Sequence, residues 1–109
     1  MATFLKVLGQ SAPSAATLIT LYTTPASTTT AVSTLVVCNR SATATTFSVA
    51  VRPAGAVISD QMYLYYLVRI DGNETFTATL GISLAATDVV SVLSTLASCS
   101  FSIFGQENT

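Results

Sequence analysis

The chain has 109 residues, of which half are hydrophobic and 8% charged, with a formal net charge of −1 and no histidine. That length fits one domain, and the charge leaves no basic surface for the phosphates of a nucleic acid. The lack of histidine removes the commonest general base, the serine triad and most zinc sites.

Threonine and serine stand where charge would normally be, at 18 and 13 positions. A freely diffusing monomer usually keeps charge on its surface. A surface of Thr, Ser, Ala and Val therefore suggests that other subunits cover much of it, so a homo-oligomer, a trimer or a dimer, is expected.

Residues 1–15 read as an N-terminal arm with a short strand near 4–8, and Phe4 is a candidate docking residue. The apolar stretch there is broken by Gly9, Gln10 and Pro13, too short for the apolar region of a signal peptide or a membrane span. The expectation is a chain made in a cytoplasm, with no membrane partner. Further strands are expected near 16–23, 31–38, 45–52, 62–70, 74–81, 87–94 and 98–104.

The periodicity behind these strands is two. Phe47, Val49 and Val51 alternate with Thr46, Ser48, Ala50 and Arg52, and Phe76 to Leu84 alternate with Thr75 to Ser83. Cys99, Phe101 and Ile103 likewise alternate with Ser100, Ser102 and Phe104. Pro25, Pro53 with Gly55, Asp71-Gly72-Asn73 and Gly105 punctuate the runs. Asp71-Gly72 is the strongest hairpin signal, and "LAATDVV" reads as a turn leading into a strand. The predicted fold class is all-β: a single-domain antiparallel β-sandwich or jelly roll of about eight strands spanning residues 1–109.

"MYLYYLVRI" differs from the rest. Alternation allows Met62, Leu64, Tyr66, Val68 and Ile70 to face the core, leaving Tyr63, Tyr65, Leu67 and Arg69 on a second face too apolar for water. Three readings are open: a central strand buried on both faces, a subunit contact built on Tyr and Arg, or a platform for stacking against a sugar.

No catalytic constellation stands out, and no enzyme, metal or cofactor is expected. The five glycines are scattered, without a phosphate loop. The acids Asp60, Asp71, Glu74, Asp88 and Glu107 fall mostly at expected turns, where carboxylates cap or are solvated, and Lys6 has no partner motif. Cys38 and Cys99 lie 61 positions apart but lack the Trp and the Tyr of an immunoglobulin framework. They read as two small, reduced core residues, with Cys38 on the face of Val32 and Val36. Asn39-Arg40-Ser41 and Asn73-Glu74-Thr75 match the N-glycosylation pattern, but both asparagines read as turn residues. Residues 39–44 read as a hairpin-like connection.

The order of motifs carries a resemblance. "LYTTPASTTTAVSTLVVCNRSATATTFSVAV", "YLYYLVRIDGNETFTATLGISLAATDVVSVLS" and "SFSIFGQE" follow one another over residues 17–107. The plan, LYT-x-P, V-x-N-x-S/T, Y-L, N-(E/D)-T, L-x-x-x-D-x-V and a closing F-G-x-E, resembles that of small structural proteins of tailed bacteriophages. The resemblance implies a β-rich virion component that binds a capsid or tail scaffold and catalyses nothing. Its expected partner is the major capsid protein or another virion protein, as a capsid decoration (cement) protein or a tail, neck or fibre-base adaptor. A carbohydrate-binding module is the alternative from another class. Tyr63, Tyr65, Leu67 and Arg69 are the expected subunit contacts, and the 53–60 loop with Pro53 and Gly55 joins the N-terminal residues for docking.

Overall fold

A computed structural model describes residues 2–109. Eight strands follow in order: β1 (Thr3–Ser11), β2 (Ile19–Thr23), β3 (Thr29–Asn39), β4 (Thr45–Arg52), β5 (Tyr63–Ile70), β6 (Thr75–Leu84), β7 (Val89–Ser94) and β8 (Cys99–Asn108). They form two four-stranded antiparallel sheets, ordered β1-β8-β3-β6 and β2-β7-β4-β5. That order is an eight-stranded jelly roll, in which the chain changes sheet at every connection except β4 to β5.

The expected alternation sets the core. Phe47 and Val49 from β4, Leu35 and Val37 from β3, Phe101 and Ile103 from β8 and Val90 and Val92 from β7 fill the space between the sheets. Phe76, Leu80 and Ile82 of β6 pack against them from the sheet edge. The rings of Tyr65, Phe76 and Phe101 surround Phe47, with centroids at 6.3, 5.1 and 6.2 Å.

Two expected hairpins are sheet crossings instead. Residues 40–44 carry the chain from β3 in one sheet to β4 in the other, and residues 71–74 carry it from β5 back to β6. Asp-Gly reverses the chain in either case, but a hairpin would leave both apolar faces on one sheet, whereas the crossing sets them facing each other. The two connections pack together closely enough that a Cβ on Gly72 would stand 2.1 Å from the Ala42 carbonyl oxygen. Asn39 joins them. Its Nδ2 donates to the carbonyls of Thr43 (2.8 Å) and Asp71 (3.1 Å), and its Oδ1 accepts from the Ser41 amide. The side chain is buried, so its part of the glycosylation pattern belongs to the fold.

Cys38 also differs from expectation. A bulge near Ser33 shifts the phase of β3, so Val32 faces the core while Val36 and Cys38 face outward. Cys99 is fully buried, and burial pushes its thiol pKa up, against the opposing pull of the Arg40 charge. The two thiols point to opposite sides of one sheet and both are free. A dilute native sample should therefore take up one equivalent of a thiol reagent at Cys38, and Cys99 should react only after unfolding. Mass spectrometry after timed labelling reads the difference; two equivalents at equal rates would contradict it.

Candidate docking surfaces and the clamps that hold them

β5 lies at an edge of its sheet, with β4 as its one partner, and so is not a central strand. Phe47 pairs with Val68 and Val49 with Tyr65, so Tyr66 and Leu67 together oppose the single residue Ser48. This is a β-bulge. Leu67 takes the left-handed conformation (φ 51°), and its amide donates to Ser48 Oγ at 3.0 Å.

The bulge inverts half of the expected face. Tyr65 turns inward against Phe47 and Phe76, while Leu64 and Tyr66, expected in the core, are exposed, Tyr66 by 64%. Met62 falls outside the strand, in a 3-10 turn. Arg69 and Leu67 point to solvent as expected, and Arg69 pairs with Asp71 at 2.8 Å. Tyr63 and Tyr66 meet edge to face at 4.8 Å and, with Asp60, line an open depression of about 390 Å³. The exposed aromatic of this strand is therefore Tyr66 rather than Tyr65.

Residues 53–62 connect β4 to β5 through two short 3-10 turns, Pro53–Gly55 and Asp60–Met62. Ala54 and Gly55 both have positive φ, and polar groups on each side hold the turn. Arg52 donates to the carbonyls of Ala56 (2.7 Å) and Gly55 (3.0 Å), and its third nitrogen reaches Ser91 Oγ (3.3 Å). Asp88 accepts from the Ala54 amide through one oxygen and from the Ala85 amide through the other, each at 2.9 Å. The loop thus presents a fixed shape, with Val57 85% exposed at its crest.

Phe4 lies in β1, an edge strand paired with β8, among the exposed apolar residues Leu5 and Val7. Ala2 and Thr109 exchange backbone hydrogen bonds at 3.1 and 2.9 Å, which ties this edge down.

Glu107 and Lys6 depart from their expected roles. Glu107 is not at a turn: it continues the inward alternation of β8 beyond Phe101 and Ile103 and is buried. Its Oε2 accepts from the Tyr22 hydroxyl across the sandwich at 2.5 Å, and its Oε1 accepts from Lys6 Nζ at 3.2 Å. Tyr22 also meets the Thr30 hydroxyl at 2.8 Å. The signal that could have found this clamp is the period-two alternation of β8, which reaches Glu107 only when it is carried past the expected strand end at 104.

The clamp sets a pH dependence. Hydrogen bonding from Tyr22 and the nearby Lys6 hold the Glu107 carboxyl below the usual carboxylate range, against the opposing effect of burial. Burial and the bond to Glu107 push the Tyr22 hydroxyl up to about 12. A depressed carboxyl stabilises the fold above its unfolded pKa of about 4.3 and loses that contribution as pH falls through the folded value. A raised phenol stabilises the fold below its unfolded pKa of about 10 and loses that contribution as pH rises toward the folded value. Tyr22→Phe should cost about 1.5–3 kcal/mol near neutrality, and its gap to the wild type should narrow as pH falls through the folded pKa of Glu107, where the wild type loses the same contribution. Urea unfolding across the pH range measures both; a gap that stays constant on acidification would contradict the clamp.

Among the described residues no three His, Cys, Asp or Glu side chains gather as a metal site, and no helix is long and apolar enough to cross a membrane. Compared with protein-family models, with curated proteins and with solved structures, the chain matches none.

Proposed function

We propose that the chain is a non-enzymatic structural protein of a tailed-bacteriophage virion, a decoration protein that binds the major capsid protein shell as a homo-oligomer and stabilises it. It is made in the host cytoplasm and ends up in the virion. The observation that carries this reading is the ordered set of motifs from Tyr22 to Glu107. Tyr22, Asn39, Asp88 and Glu107, four of the residues in that set, are the clamps that join the two sheets and fix the loops. Through these clamps the resemblance bears on architecture, while the Y-L strand of the set and the loop before it carry the exposed apolar residues.

Those residues support a docking role. Leu64, Tyr66, Leu67 and Val57 are apolar, exposed and held on rigid backbone, and preorganised aromatic and aliphatic anchors suit an interface. Binding to the assembled shell adds stability as RT ln(1 + [L]/Kd) at each site, repeated over the lattice. Shells lacking the protein should regain heat resistance when it is added back, and the double variant Tyr66→Ala/Val57→Asp should fail to restore it while folding normally. Shells that resist heat equally with and without the protein would refute the role.

A second reading rests on the depression between Asp60, Tyr63 and Tyr66, where a ring face and a carboxylate could hold a neutral sugar. Glycan-array binding that Tyr66→Ala abolishes would favour it over the shell.

A further inference from the structure

Among the described residues, the outer face of the β1-β8-β3-β6 sheet carries no charged side chain. Directly paired residues share a face, so the register sets Val7 beside Phe104, Phe104 beside Thr34, and Thr34 beside Thr79. One rank along, Ser102, Val36 and Thr77 form a second row. The chain has four basic and five acidic side chains, and each can be placed elsewhere. Lys6 and Glu107 pair on the inner side of this sheet, and Arg52 and Arg69 belong to the other sheet. Arg40, Asp60, Asp71, Glu74 and Asp88 sit in connections. An exposed antiparallel face normally shows polar and charged residues to water; this one shows hydroxyls, methyls, apolar groups and, toward its edges, the amides of Gln10, Gln106 and Asn108.

We propose that this face is the contact between two copies of the chain, packed sheet against sheet about a two-fold axis. Chemistry selects a second copy over other occupants. A charged partner finds no counter-charge on the face. A hydroxyl both donates and accepts, so a Thr/Ser face is complementary to itself, and two neutral faces meet without like-charge repulsion. Size agrees as well. Four strands about 4.8 Å apart and about 9 residues long give a footprint of roughly 19 by 30 Å. Two copies would bury on the order of 1,100 Å², just above the roughly 1,000 Å² that a specific interface needs. A weak, concentration-dependent dimer is the consequence. The proposal specifies the oligomeric part of the virion reading but needs no shell, so either can fail without the other.

Sedimentation velocity of the full chain from micromolar to millimolar concentration tests it, with Cys38 labelling as a second readout, because that thiol lies on the same face beside Thr75 and Ser100. The wild type should pass from monomer to dimer, and Cys38 labelling should slow as it does. Thr77→Arg, which sets two like charges across the axis, should weaken association at least about tenfold with unchanged circular dichroism, and should leave Cys38 labelling fast at all concentrations. Thr79→Arg serves equally should Thr77→Arg fail to fold. Val57→Arg, on the docking loop, should leave association intact. A wild type that stays monomeric, association that survives both threonine variants, or association lost in Val57→Arg would each overturn the proposal.

Discussion

Replacing Phe47 by alanine should cost about 3–5 kcal/mol of stability, the largest loss expected from any single truncation in this fold. The ring is fully buried between the sheets and touches aromatic rings from β5, β6 and β8. Those neighbours are fixed by the ladders of both sheets, so the space it leaves cannot collapse, and the cavity adds to the lost transfer energy. A domain of this size has about 5–15 kcal/mol in total, so the variant would be marginal at room temperature. Phe47→Leu, which keeps much of the volume, should cost far less. Denaturant midpoints for the pair check this; a loss below about 1 kcal/mol for the alanine variant would mean that the core is not centred on this ring.

Asn39→Asp should be nearly as damaging, although it changes almost no volume. The wild-type amide donates to carbonyls of Thr43 and Asp71 and lies 3.5 Å from that of Ile70. A carboxylate has no proton to give and would direct its lone pairs at those oxygens inside a buried loop junction. An unpaired buried charge of this kind costs about 3–5 kcal/mol. Because the site disfavours the ionised form, the introduced carboxyl has a folded pKa above its unfolded one. The penalty is therefore full above the folded pKa, fades as pH falls from there toward the unfolded value of about 3.9, and is gone below it. The stability gap between variant and wild type should narrow on acidification, and a gap that stays constant with pH would contradict this account of Asn39. The same geometry excludes a glycan at Asn39, since a sugar on Nδ2 would take the place of these bonds.

The fold was legible in the sequence because its signal is local. Period-two alternation placed all eight strands, with 45–52 matched residue for residue and the inward set Phe76 to Leu84 assigned correctly. Long-range decisions were not legible. Asp71-Gly72 specifies a reversal, and only packing decides that the returning strand joins the opposite sheet. Alternation also fails at a bulge, because one extra residue inverts every side chain beyond it. No residue type in "LYYLVR" marks the bulge; Leu67 adopts positive φ where glycine would have announced it. This is why Tyr65, expected outside, is a core residue, and why Tyr66 takes its place on the surface.

The polar clamps show the same division. Tyr22 and Glu107 are 85 positions apart, beyond any local pattern, though each stands on the inward phase of its own strand. Lys6 had no visible partner for the same reason. The proposed docking surface is set partly by these clamps, since Arg52 and Asp88 fix the loop that presents Val57.

The most direct test of the proposed virion role is a density map of whole particles of the phage to which the proposal assigns this chain. The account predicts a two-sheet jelly roll repeated over the outer capsid surface, with the Tyr66 and Val57 edge turned toward the major capsid protein. Density for the chain confined to the tail or neck, or particles without it, would contradict the assignment to the shell.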